Sequence, residues 1–203
     1  MYESFDDLGL HDDLLDRLNE VGYKTPTPIQ AKAIPLLLEG RDLLGVAQTG
    51  TGKTATFVLP ILQKLASSRE KLHPKQPRVL ILAPTRELSA QINDELAVLS
   101  EGMNLRQTVV IGGVGENPQI RALKKGVDVL VATPGRLLDL AARKHIDLSG
   151  VSILVLDEAD RLLDMGFVRD VRRIVSQTPS ERQSLLFSAT MPKEVAALAK
   201  EIL

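Results

Sequence analysis

Six short, almost unbroken apolar runs punctuate this chain: DLLGVA (42–47), RVLILAP (78–84), RQTVVIG (106–112), VDVLVAT (127–133), SILVLD (152–157) and QSLLFSA (183–189). Runs of this length, apolar at successive positions, suit strands that are covered on both faces, as in a parallel sheet. Between them the spacing predicts helices over 53–67, 86–101, 117–125, 135–144, 167–177 and 192–203. Such repeated alternation points to an α/β fold, a parallel sheet with helices on both faces. Right-handed crossovers would then bring every strand's carboxyl end to one edge, where ligands bind. Two more helices are expected ahead of the first strand, over 11–21 and over IQAKAIPLLLEG, which contains Pro35. The polar stretch SSREKLHPKQP (67–77) reads as a loop.

Nothing divides these 203 residues into two domains, and a chain of this length can bury a full core. There is no cysteine, so disulfides and thiolate metal sites are excluded. The acidic N-terminus is not a signal peptide, and no apolar run approaches the ~18 residues of a membrane span, so no membrane partner is expected. A cytoplasmic location is expected. The net charge is −1, so a polyanion would have to be met by a local patch. Aromatic residues make up 3% of the chain and tryptophan is absent, which argues against a base-stacking platform.

The first strand runs into AQTGTGKT (47–54). A glycine turn opening a helix aims backbone N–H groups and the helix dipole at phosphate oxygens. Gln48, Thr49, Gly50, Thr51 and Gly52 form that turn. Lys53 supplies charge for the outer phosphates, and the Thr54 hydroxyl is placed to ligate Mg²⁺. Ala47 stands where the strict motif has glycine, which is tolerable if its dihedrals are ordinary. The fifth strand ends in Asp157, Glu158 and Asp160. Asp157 suits a hydrated Mg²⁺, and Glu158 suits orienting or deprotonating an attacking water. The plainer alternatives are a strand–turn–helix joint and an acidic helix N-terminus.

DEAD (157–160) beside AQTGTGKT resembles the DEAD-box RNA helicases, and the resemblance extends along essentially the whole chain. GYKTPTPIQ (22–30) is similar to the family's adenine-reading Q motif, with Phe5 upstream. PTRELSAQ (84–91), with Ser89 where alanine is usual, Gly112-Gly113, TPGR (133–136) and SAT (188–190) follow in the family's order. The resemblance implies a RecA-like P-loop NTPase domain with a Q-motif extension over 1–40, using ATP and Mg²⁺ and acting on RNA. It implies adenine recognition by Gln30, whose amide can pair with N6 and N7, with Tyr23 and Phe5 near the base; core packing is the competing role for Phe5. It implies backbone contacts to RNA, without sequence preference, from Pro84, Thr85, Arg86, Gly113, Thr133, Pro134, Gly135 and Arg136. For the threonines, helix capping is the alternative. Asp160, Ser188 and Thr190 are expected to couple the metal-site turn to the last strand through hydroxyl–carboxylate bonds.

The family's core has two such domains. The chain is therefore expected to be the first, monomeric by itself, with the second supplying the arginines that stabilise the transferred phosphoryl group. Alone it should bind adenine nucleotide weakly and hydrolyse it very slowly. Two other readings stay open: a DNA-directed motor domain, and a non-catalytic scaffold that keeps the fold. His11, His73 and His145 fit no ligand spacing, and RDVRR (169–173) reads as a solvated face.

Overall fold

A computed structural model describes residues 4–48, 50–68 and 70–203. The apolar runs form six strands: β1 (Leu43–Val46), β2 (Val79–Leu82), β3 (Gln107–Val110), β4 (Val129–Ala132), β5 (Ile153–Leu156) and β6 (Gln183–Ser188). They form one sheet in the order β1-β6-β5-β2-β4-β3, parallel throughout. The helices are α1 (Asp12–Glu20), α2 (Pro28–Leu38), α3 (Lys53–Ser67), α4 (Arg86–Leu99), α5 (Asn117–Lys125), α6 (Pro134–Ala142), α7 (Ala159–Asp164), α8 (Val168–Ser176) and α9 (Lys193–Ile202).

The two-residue period of a strand sends alternate side chains to opposite faces, and here both faces are apolar. Val79, Ile81, Val129, Val131, Ile153 and Val155 enter one core with residues of α1 to α4. Leu80, Leu82, Leu130, Leu154 and Leu156 enter the other with residues of α5 to α9. Burying each such side chain is worth about 1.5–3 kcal/mol, so the sheet is held from both sides.

Strand order has a functional consequence. The chain leaves β1 at one edge, crosses to β2, builds β4 and β3 outward from it, then returns to place β5 and β6 between β2 and β1. The carboxyl edge is thus divided. The turns after β1, β6 and β5 are neighbours, and the turns after β2, β4 and β3 are neighbours.

The expected strands and long helices all form, with ends trimmed by one or two residues in most cases. The sequence reading missed α7, whose six residues are too few to show a helical period. It also missed the 3₁₀ turns at Phe5–Asp7 and Leu148–Gly150. Pro35 and Pro60 both lie inside helices. A proline there costs ~3 kcal/mol in isolation. In α3 it is offset by burial of most of the helix.

Candidate nucleotide and RNA site

The turn after β1 places Gly50 at φ +88° and Gly52 at φ +78°, conformations natural only to glycine. Ala47 lies outside the positive-φ residues, which is why alanine is accepted there. Gly52 is further constrained, because any side chain on it would strike the Gln30 amide. Three donors hold its carbonyl: Gln30 Nε2 at 3.0 Å, Thr56 Oγ1 at 3.0 Å and Thr56 N at 3.3 Å. Thr51 Oγ1 donates to Gln48 O at 2.7 Å. Among the described residues no side chain caps α3, so its N-terminal N–H groups stay available to an anion. Thr54, half-buried, is the second residue of that helix. Thr49 lies outside the described residues.

Lys53 is 6% exposed, and its Nζ lies 2.8 Å from Oδ1 of the fully buried Asp157. The same Oδ1 accepts from Glu158 N at 2.9 Å. Oδ2 has no partner and is the only such buried side-chain polar atom among the described residues. Burial pushes the Asp157 carboxyl up, against the pull of Lys53. A buried carboxylate with one satisfied and one bare oxygen is a costly arrangement unless a cation completes it. Mg²⁺ takes one or two protein oxygens and otherwise water and phosphate. That requirement fits Asp157 and Thr54, and among the described residues no group of three His, Cys, Asp or Glu is placed to hold a metal by itself.

Glu158 sits at φ 48°, ψ 56°, the left-handed region that is unfavourable for any residue with a β-carbon by roughly 1–2 kcal/mol. This sharp strand-to-helix turn separates the acids. Glu158 has Arg161 at 3.6 Å, and Asp160 turns to the next strand. There Asp160 Oδ2 accepts from Thr190 Oγ1 at 2.8 Å and Thr190 N at 3.1 Å. Partial burial opposes ionisation of Asp160, but the donors from Thr190 and Arg161 prevail and hold its pKa below the usual range. The expected role of Ser188 needs correction. Its hydroxyl accepts from the Asp160 backbone N–H at 3.2 Å and donates to Thr190 O at 2.6 Å. It braces the turn through the main chain, while Thr190 bonds the carboxylate.

Gln30 is 1% exposed and buried in the joint between α2 and the phosphate turn. Thr27 and Gln30 form a capping box, with Gln30 Oε1 accepting from Thr27 N at 2.9 Å. Each half of the amide therefore has one partner already and can take one more. The T-x-x-Q spacing signals this cap in the sequence, yet the sequence reading did not single out Thr27 or Thr56. Phe5 belongs to the core at 4% exposure, edge-on to Tyr23 with ring centroids 6.3 Å apart. The half-buried Tyr23 donates its hydroxyl to Glu95 at 2.7 Å, and burial, then Glu95, pushes its pKa up. That hydroxyl is committed to α4.

The expected RNA residues share the other half of the edge. Pro84 and Thr85 follow β2, Gly113 follows β3, and Thr133 to Arg136 follow β4. The Thr85 hydroxyl caps α4 by accepting from Leu88 N at 3.1 Å, the alternative foreseen for it. Thr133 occupies the N-cap of α6 without a side-chain bond, with Pro134 following at the first helical position. Arg86, Gly113 and Gly135 are exposed, and Arg136 is half-buried. A side chain on Gly113 (φ +77°) would run into the Arg86 guanidinium, so the two are in direct apposition. His11 and His73 are exposed and His145 is half-buried. Arg172 of the RDVRR cluster pairs with Glu201 at the surface, 2.9 Å away.

Comparison with known proteins matches the family described as DEAD/DEAH box helicase over residues 27–198. DEAD-box ATP-dependent RNA helicase 30 of Arabidopsis thaliana is 47% identical across 98% of this chain and 34% of its own length. ATP-dependent RNA helicase DeaD of Escherichia coli is 48% identical across 98% of this chain and 31% of its own length. A crystal structure of a DEAD box protein from the hyperthermophile Methanococcus jannaschii superposes with a TM-score of 0.90 at 39% identity, covering 100% of this chain and 54% of that one. The chain thus spans about a third of those helicases and about half of that structure.

Proposed function

Because the chain belongs to the DEAD/DEAH box helicase family, we propose that it is the ATP- and Mg²⁺-binding RecA-like domain of an ATP-dependent RNA helicase. The observation that carries this reading is the buried Lys53–Asp157 pair with its bare Oδ2. A permanently buried ion pair is weak evidence of stability, but it suits a site waiting for a polyanion and a cation. Lys53 would meet the triphosphate oxygens, and Asp157 with Thr54 would hold a hydrated Mg²⁺, which would supply positive charge against the phosphates. Glu158, aimed by its strained turn, orients or deprotonates the attacking water. Gln48, Thr49, Gly50, Thr51 and Gly52 line the phosphate path. Gln30 supplies its second donor and acceptor to adenine, which favours ATP over GTP, and Tyr23 packs near the base.

On this reading Pro84, Thr85, Arg86, Gly113, Thr133, Pro134, Gly135 and Arg136 hold one RNA strand by its backbone, without sequence preference. Asp160, Ser188 and Thr190 link the metal-site turn to β6 and so to RNA remodelling. Rapid hydrolysis requires a second RecA-like domain that contributes arginines to the transition state, an effect of ~10³–10⁵ in comparable systems. The chain alone is monomeric and turns over slowly, and it acts in the cytoplasm. No helix among the described residues is long and apolar enough to cross a membrane. Calorimetric titration with a non-hydrolysable ATP analogue and Mg²⁺ tests the proposal. Saturable binding that is weaker for the GTP analogue is expected. Absence of heat, or RNA-stimulated turnover by this chain at full helicase rates, would contradict it.

A further inference from the structure

Gln119 belongs to none of the motifs, yet it is a buried polar side chain at 7% exposure on α5, directly behind the Gly112–Gly113 turn. Its Nε2 donates to Ile111 O at 3.1 Å, and its Oε1 accepts from Arg136 Nη1 at 3.2 Å. Only this orientation of the amide works: the reverse would set an NH₂ against a guanidinium and an oxygen against a carbonyl. Arg136 in turn donates from both Nη atoms to Val114 O at 3.2 Å. One buried amide and one guanidinium therefore pin the backbone on both sides of Gly113. Arg86 lies against Gly113 itself.

We propose that Gln119 is a positioning residue for RNA binding: it fixes the Arg136 guanidinium and the Gly112–Gly113 turn in one arrangement, so that they meet the phosphates together. This rests on the RNA-contact reading above. Arg136 spends some of its N–H groups on Gln119 and Val114 and, among the described residues, keeps the rest unbonded, which makes it a pre-oriented donor rather than a mobile one. Pre-orientation spares the ordering cost of a long side chain on binding. An exposed pair of Arg143 with Glu116 ties the end of α6 to the start of α5 beside the same turn, but a solvent-exposed pair holds little. The buried amide is the structural anchor.

The test compares binding of a fluorescein-labelled single-stranded uridine decamer and of an ATP analogue by the wild-type chain, Gln119→Leu, Arg136→Ala and the double variant. Gln119→Leu is expected to weaken RNA binding about tenfold, the loss of roughly one buried hydrogen bond. Nucleotide affinity should stay within about twofold. In the Arg136→Ala background Gln119→Leu should cost little more, since the two act as one unit. Hydrogen exchange across 111–116 should accelerate. If Gln119→Leu fails to fold, Gln119→Asn, whose shorter amide cannot span both partners, is expected to give the same pattern. RNA affinity within twofold of wild type, additive losses in the double variant, or a parallel loss of nucleotide affinity would each overturn the role of Gln119. A wild-type chain that ignores RNA would instead overturn the RNA reading, and this inference with it.

Discussion

On the proposed reading, the two halves of the carboxyl edge solve different problems with the same scaffold. At β1, β6 and β5 the functional groups are already bonded to one another: the buried Lys53 to Asp157, the buried Gln30 to Gly52 and, nearer the surface, Asp160 to Thr190. At β2, β4 and β3 Arg86, Gly113 and Gly135 stand at the surface beside the buried Pro84, Thr133 and Pro134, and the bonds of Arg136 run to a main-chain carbonyl and to one buried amide. A compact triphosphate with a metal is bound best by a dry site holding mismatched charge in readiness. A long phosphate backbone is bound best by fixed donors on an open face. Between the halves, β5 and β2 are adjacent strands, so the acids of one site lie one strand from the threonine and arginine of the other.

Substitutions can break this contrast at four points. The largest effect is expected for Glu158→Gln in a protein that includes the second domain. RNA-stimulated ATP hydrolysis should fall by about 10²–10⁴, the usual worth of a general base, with nucleotide and RNA affinities unchanged. Normal turnover in a steady-state phosphate-release assay would remove Glu158 from its role.

Next in size is Lys53→Ala, for which calorimetry should show nucleotide affinity down about a hundredfold, the loss of charge-assisted bonds. This variant also leaves Asp157 buried beside no cation. A carboxyl whose folded pKa is raised gains stability as pH falls through that pKa. The melting-temperature deficit of Lys53→Ala should therefore narrow toward acid, and a deficit that widened would contradict the buried-charge account.

Gln30→Ala sharpens the boundary between base and phosphate recognition. Its ATP-over-GTP preference should shrink about tenfold, the scale of a bidentate amide–adenine pair. Competition titration with both nucleotides would detect it, and unchanged selectivity would exclude Gln30 from base recognition.

The smallest effect is expected for Thr190→Val, about 1 kcal/mol of stability at neutral pH from the lost bonds to Asp160. The Asp160 pKa is lowered in the fold, so its contribution is present above the unfolded carboxylate value and is lost as pH falls through the folded one. Chemical denaturation should show the variant and wild type converging below about pH 4. A constant gap would mean that Thr190 acts through packing.

How far the sequence revealed all this depended on the distance over which each signal acts. The strands and long helices were legible because their apolar periods repeat within ten residues or so, and AQTGTGKT was legible because its geometry is local. The turn at Glu158 was not, because a left-handed glutamate carries no compositional mark and α7 is too short for periodicity. Nor was Gln119, since its partners Ile111, Val114 and Arg136 meet it only after β3, α5 and α6 assemble. Ser188 shows the intermediate case. Its nearness to Asp160 was foreseeable from strand ends, but whether it met the carboxylate or the amide depended on how Thr190 bonds that carboxylate.

The division of the edge itself is tested most directly by amide chemical-shift mapping on the ¹⁵N-labelled chain, with ADP–Mg²⁺ in one titration and a uridine decamer in the other. The account predicts nucleotide shifts concentrated at 48–54, 157–160 and 188–190, and RNA shifts concentrated at 84–86, 111–116 and 133–136. Both ligands perturbing the same residues, or RNA shifting the phosphate turn and leaving Arg136 untouched, would contradict it.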